Sequence, residues 1–240
     1  MKKLLLATAL LGLTAGFASA DIIRLATEGA YPPFNFVDDQ GQVAGFEREV
    51  GDALCKLAAL ECTWTTNDWD SIIPNLQSGN YDVIIAGMSI TDERKKVIAF
   101  SENYYPPAAS AYLAASADAD VKTGVVSAQV GTIQSAYVAE SGATLLEFPT
   151  PDETVAAVRN GEAAAVFADK DYLIPFADES KGALVFVGED IAIGGGVGLG
   201  LRQSDTELKA KLDKAIGEMK ADGSLNTLIE KYFGEKGIKF

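Results

Sequence analysis

Short runs of apolar residues alternate along this chain with stretches whose apolar positions recur every three or four residues. The runs read as buried strands and the periodic stretches as amphipathic helices. Their alternation predicts an α/β protein with largely parallel sheets. Ile22–Thr27 reads as a strand. Glu47–Ala59 reads as a helix, with Val50, Leu54, Leu57 and Ala58 on one face, and Cys62–Thr66 as a β-branched strand. A helix over Ser71–Gln77 breaks at Ser78-Gly79-Asn80 before a strand over Asp82–Ala86. A strand over Gly124–Gln129 follows, then a helix over Asp152–Arg159 that breaks at Asn160-Gly161 before a strand over Ala164–Ala168. Thr206–Phe233 is helical throughout, with Leu225, Leu228, Ile229, Tyr232 and Phe233 on its apolar face.

The unit of helix, glycine turn and apolar strand therefore occurs twice, once in each half. That predicts two lobes of related build, one from residues 21–107 with 198–240 and one from residues 108–197. The chain would cross between them at Tyr104-Tyr105-Pro106-Pro107 and in the glycine-rich stretch Ile193–Gly200. Those glycines fit neither GxGxxG nor GxxxxGK[ST], so they read as a return crossing or hinge and not as a phosphate loop.

Composition changes this picture in four places. Lys2 and Lys3, the apolar run Leu4–Leu13 and the small residues Ala18-Ser19-Ala20 form an export signal over residues 1–20. The chain is thus expected outside the cytoplasm, in a bacterial periplasm. Removing that leader takes two lysines and no acids, moving the net charge from −14 to −16, which disfavours nucleic acid as a partner. The absence of histidine excludes a Ser-His-Asp triad and any histidine-based metal site. Cys55 and Cys62 would lie about 10.5 Å apart along one continuous helix, too far for a disulfide. An oxidising compartment favours a bridge, which requires the helix to stop near Leu60.

Ligands of open α/β sheets bind beyond the carboxyl ends of the strands. The predicted strands deliver Glu28 and Tyr31, then Asn67-Asp68-Trp69, then Gly87, Ser89 and Arg94, then Gly131-Thr132-Ile133-Gln134, then Asp169. Arg94 falls in the first turn of a helix, against the positive end of its dipole, so something anionic must make the position favourable. Asp92 and Glu93 could serve locally, and a ligand carboxylate is the alternative. Each other residue has a plain structural alternative: Asp169 and Thr132 as helix caps, Trp69 and Tyr31 as core aromatics, Glu28 as a solvated strand end. Together they are complementary to a free amino acid, with Arg94 and the Thr132 amide on the α-carboxylate and Asp169 on the α-ammonium.

The segments Thr27–Phe36, Gly45-Phe46-Glu47, Asp82–Arg94 and Gln129–Gln134 resemble the periplasmic polar-amino-acid-binding proteins of ABC importers, in the branch that binds lysine/arginine/ornithine, histidine and opines. The resemblance implies the two-lobed type II periplasmic-binding-protein fold, each lobe a mostly parallel sheet flanked by helices. It implies a monomer without cofactor that closes on its ligand and presents it to a membrane permease. The Cys55–Cys62 pair matches a disulfide of that branch. Carried onto matching positions, the ligand set is Glu28, Tyr31, Trp69, Gly87, Met88, Ser89, Arg94, Thr132, Ile133, Gln134 and Asp169. Tyr31 and Trp69 would sandwich the ligand side chain, and Glu28 would meet its distal end, where an acid suits a cation such as arginine.

The chain departs from the usual pattern at Ala86-Gly87, where basic-amino-acid binders often carry serines, at Ser127, and in the Gly194–Gly200 crossing. Cyclohexadienyl dehydratases resemble the same family, which makes an enzyme with Glu28 or Asp169 as general acid the principal alternative. A receptor for neutral or acidic amino acids, or a sensor feeding a signalling protein, are the others.

Overall fold

The computed structural model describes residues 22–240, so the expected export signal lies outside the described residues. Strand β1 (Ile23–Thr27) leads into a small antiparallel sheet of β2 (Ala30–Tyr31), β3 (Asn35–Val37) and β4 (Val43–Ala44). Helix α1 (Phe46–Leu57) follows and buries Val50 and Leu54 of the expected stripe together with Phe46, whereas Leu57, at the last position of the helix, is 45% exposed. It stops before Leu60, Cys62 begins β5 (Cys62–Thr66), and the Cys55–Cys62 disulfide closes with its Cα atoms 6.3 Å apart. Then come α2 (Trp69–Gln77), β6 (Val83–Ile84), α3 (Asp92–Lys95) and β7 (Ala99–Tyr105).

After Pro106-Pro107 the chain builds a second sheet. Its elements are β8 (Ala109–Ala114), β9 (Val125–Gln129), α4 (Ile133–Ser141), β10 (Thr144–Phe148), α5 (Pro151–Arg159), β11 (Ala165–Asp169), α6 (Lys170–Glu179) and β12 (Val185–Ala192). It returns through β13 (Val197–Leu201) and ends in α7 (Thr206–Ala221), α8 (Ser224–Phe233) and a short 3₁₀ turn. The expected helical stretch Thr206–Phe233 is thus two helices. Gly223, at a φ of +78°, turns the chain between them.

The two sheets have one plan. The first runs β5-β1-β6-β13-β7 and the second β10-β9-β11-β8-β12. In each, three strands pair in parallel, the fourth is antiparallel to both neighbours, and the fifth therefore points the same way as the first three. The single reversed strand is in each case the one entered directly after a crossing between sheets, β8 or β13. The two repeated units, α2 into β6 and α5 into β11, end in the third strand of their sheets.

Only Gly194–Gly196 of the glycine-rich stretch is a connection; Gly198 and Gly200 lie inside β13. Gly198 is glycine because a Cβ there would sit 2.8 Å from Ile90 Cδ1. The expected crossing over Ile193–Gly200 is correspondingly shorter, and Ile90 pins it through backbone bonds with Gly195 and Gly196.

The first sheet's core gathers Leu25, Phe46, Leu54, Tyr104, Tyr105 and Ile216 on one face and Ile72, Leu76, Ile84 and Met88 on the other. The second sheet likewise carries one cluster on each face, around Val166 and Tyr172 and around Val126 and Phe167. Both sheets are thus covered on two sides, which leaves their strand ends as the place where polar groups collect.

Candidate ligand cleft

The carboxyl ends of both sheets face one small cavity. It is lined by Glu28, Tyr31, Trp69, Gly87, Ser89, Arg94, Thr132, Ile133, Gln134 and Asp169, and also by Ala86 and Gln129. Met88 leaves the expected set. Its side chain is fully buried in the core beneath the cleft, because successive residues of an extended segment point to opposite sides.

Arg94 stands in the four-residue helix α3, whose N-cap Thr91 accepts from the Arg94 amide. The local explanation for its charge fails. Asp92 and Glu93 pair with Lys95 and Lys96. The Arg94 guanidinium instead donates to the carbonyls of Ser89 at 2.9 Å and Gly131 at 3.3 Å and lies 5.3 Å over the Trp69 ring. Burial pulls its pKa down to about 10, partly opposed by the Asp169 charge. A guanidinium desolvated without a carboxylate partner is a seat for an anion. Among the described residues the Ser89 and Thr132 amides beside it have no hydrogen-bond partner.

The Thr132 hydroxyl is a helix cap, accepting from the Ser135 amide and donating to the Gln129 carbonyl. Asp169 is different. It occupies the N-cap position of α6 yet makes no capping bond. It accepts from the Tyr31 hydroxyl at 2.8 Å and Gln134 Nε2 at 2.9 Å, and burial lifts its pKa to about 6. Gln134 is held in turn by Ser110. Gly87 has a φ of +61°, which favours glycine, and its amide donates to Glu47 Oε1 at 2.6 Å. Glu47 is wholly buried and also bonded by Asn35 and Tyr104. This strut fixes the backbone that leads into Ser89.

Glu28, just beyond β1, belongs to a separate electrostatic neighbourhood. Burial raises its pKa to about 7; Gln129, donating at 2.6 Å, opposes the rise, and the nearby carboxylates Asp68, Glu47 and Asp152 add to it. Tyr31 and Trp69 both line the cavity, but each has one ring face engaged. Tyr31 stacks on Tyr172 with centroids 4.2 Å apart and planes 10° apart, while Trp69 carries Arg94. Only their remaining faces are available to a ligand. Ser127, one of the departures in the sequence, lies outside the cavity and donates to the carbonyls of Thr154 in α5 and Ala165 in β11.

Sequence reasoning missed Gln129, Glu47 and Tyr172. Gln129 ends β9, so the strand-end rule that selected the others would have reached it. Nothing local ties Glu47 to Gly87, 40 residues away, or Tyr172 to the ring of Tyr31.

Comparison with known proteins agrees with this geometry. The lysine/arginine/ornithine-binding periplasmic protein of Escherichia coli K12 is 32% identical, over 97% of each chain. A periplasmic His/Glu/Gln/Arg/opine family-binding protein from Silicibacter pomeroyi, solved in complex with lysine, is 64% identical with a TM-score of 0.90, over 91% of this chain and 100% of that one. An ancestral amino acid-binding protein that is a precursor of cyclohexadienyl dehydratase is 30% identical with a TM-score of 0.80, over 88% and 95%. The family described as bacterial extracellular solute-binding proteins, family 3, matches residues 23–235, and the chain belongs to that family.

Proposed function

We propose that this protein is a monomeric periplasmic receptor for an L-amino acid with a cationic side chain, arginine, lysine, ornithine or a guanidino-opine, which it delivers to an ABC permease. The observation that carries the reading is the charge layout of the cavity: a guanidinium without a carboxylate bonded to it beside a desolvated carboxylate, with a second desolvated carboxylate whose charged neighbours are further acids. Arg94 with the Ser89 and Thr132 amides takes the α-carboxylate. Asp169, with the Gly87 carbonyl and Ser89 hydroxyl, takes the α-ammonium. The free faces of Tyr31 and Trp69 hold the aliphatic stem, and Glu28 meets the distal cation. The lobes are residues 21–107 with 198–240 and residues 108–197, and they close over the ligand about the two crossings. The names of the relatives above support this ligand class.

The second reading is a dehydratase. Glu28, held near neutrality in a closed cavity, has the properties of a general acid, and one similar structure is a dehydratase precursor. An intact clamp for both α-groups favours binding over turnover.

Calorimetric titration of refolded protein with amino acids and opines tests the proposal. Arginine or lysine binds tightly, and Arg94→Ala weakens every amino acid by about 1.5–3 kcal/mol, the range for a hydrogen bond to a charged group. Binding confined to neutral or acidic amino acids removes Glu28 from its role. Turnover of arogenate or prephenate by the purified protein establishes the dehydratase instead.

A further inference from the structure

Strands β1 and β6 lie side by side in the first sheet, and their pairing ends at the bond from the Ile85 amide to the Ala26 carbonyl. Beyond it stand groups assigned to the two ends of the ligand, Glu28 after β1 and the Gly87–Ser89 segment after β6. Two fully buried side chains bridge that gap. The Gly29 amide donates to Asn35 Oδ1 at 2.7 Å, Asn35 Nδ2 donates to Glu47 Oε2 at 2.6 Å, and Glu47 Oε1 accepts from the Gly87 amide at 2.6 Å. The Tyr104 hydroxyl also donates to Glu47 Oε1. The Gly29 amide shares a rigid peptide plane with the Glu28 Cα, so its bond fixes the plane from which the Glu28 side chain departs. Gly29 and Gly87 both hold a positive φ, +77° and +61°, which turns each backbone segment out of its strand. Neither Asn35 nor Glu47 lines the cavity.

We propose that Asn35 and Glu47 are positioning residues: a buried clasp that ties the Gly29 turn to the Gly87 turn and holds Glu28 at a fixed place relative to the clamp for the ligand's α-groups. The inference rests on the cationic-ligand reading and deepens it. The order of donors and acceptors makes the residue types specific. A backbone N–H can only donate, so both ends of the clasp must present an acceptor. Asparagine accepts from Gly29 and passes a donor on, and glutamate then accepts from both sides. Asn35→Asp alone would set two carboxylates against each other. Glu47→Gln alone would turn an N–H towards either the Asn35 donor or the Gly87 amide. The two changes together restore the match, because the aspartate accepts from Gly29 and from the glutamine amide, whose oxygen accepts from Gly87.

The test is calorimetric titration of refolded wild type, Asn35→Ala, Glu47→Gln and the double variant Asn35→Asp/Glu47→Gln with L-arginine, L-lysine and L-glutamine. Asn35→Ala releases Gly29 and leaves the bond between Glu47 and Gly87. Its arginine and lysine affinity is expected to fall roughly tenfold, while that for glutamine, which lacks the cation that Glu28 meets, changes less than about twofold. Glu47→Gln should weaken all three ligands, since Gly87 belongs to the clamp, and the double variant should recover most of that loss. Equal loss for all three ligands in Asn35→Ala, or no loss, makes the pair an ordinary buried network and overturns the proposal. A double variant that binds no better than Glu47→Gln does the same. If the wild type itself does not prefer arginine or lysine over glutamine, the cationic reading fails and this inference falls with it. Preference in the wild type, lost in Glu28→Gln but kept in Asn35→Ala, sinks the inference alone. Amide hydrogen exchange of the ligand-free wild type gives an answer even where a variant does not fold. The Gly29 and Gly87 amides are both expected to be protected, and a Gly29 amide that exchanges as fast as an unstructured peptide overturns the proposal.

Discussion

Glu28 places binding and stability in opposition. Burial holds its folded-state pKa at about 7, above the ordinary 4.5; the Gln129 amide opposes this, and Asp68, Glu47 and Asp152 reinforce it. A carboxyl raised in this way contributes stability that is complete below its unfolded pKa and is lost as pH rises through its folded one. Glu28→Gln should therefore raise the melting temperature of the ligand-free protein at about pH 8 and leave it unchanged near pH 4, where the parent carboxyl is already protonated. Binding runs the other way. Arginine affinity, taken relative to glutamine, should climb with pH towards a plateau above about 7 in the parent and stay low and flat in the variant. The glutamine reference is needed because Asp169, raised to about 6, gives every amino acid an acid-side loss. Equal melting temperatures at pH 8, with parallel pH profiles, would mean that Glu28 is no special acid.

Among the elements, the joint between α1 and β5 shows how local chemistry fixes a boundary. The helix must stop for Cys55 and Cys62 to meet, and it does so at Leu57, turning through Ala59 with a φ of +52° into the alternating strand. A loop this short is expected to stabilise the fold by about 2–3 kcal/mol through restriction of the unfolded chain. Replacing both cysteines by serine should lower urea-unfolding stability by that amount and leave arginine affinity intact, because the bridge lies outside the cavity lining. A large loss of affinity at preserved fold would show that the joint reaches the cleft. The duplicated helix-turn-strand unit, visible as Ser78-Gly79 and Asn160-Gly161, has a structural counterpart in β6 and β11, each third in its sheet. Helix ends were less legible. Trp69 opens α2 and does not sit in the loop before it, because the Asp68 position already provides a non-helical cap.

For the whole molecule, the contacts across the cleft describe a closed arrangement. Tyr31 reaches Asp169, Glu28 reaches Gln129, Arg94 reaches the Gly131 carbonyl, and Tyr105 at the end of β7 reaches Asp171 in the first turn of α6 at 2.8 Å. These bonds are few and lie at one mouth, while among the described residues the covalent links between the sheets are the two short crossings. That is the layout of a hinge. Small-angle scattering should therefore record a smaller radius of gyration with saturating arginine than without it. Identical dimensions in the two states would defeat the closure model.

The sequence by itself determined the alternation of strands and helices, the doubled unit, the candidate disulfide and most of the groups that line the cavity. Those signals are local: periodicity, glycine turns, and polar residues following apolar runs at strand ends. The reversal of β8 and β13, the close packing that confines Gly198 to a strand, and the burial of Met88 were decided by tertiary structure, since each depends on which segment lies alongside. The same holds for the electrostatics. Asp92 and Glu93 were plausible partners for Arg94 on sequence distance alone; they pair three residues on with Lys95 and Lys96, and the fold places the guanidinium in the cleft. Nor could spacing join Glu28 to Gln129, 101 residues apart, because a carboxylate's charge state depends on the solvent removed and the donor supplied by a segment that only folding brings near.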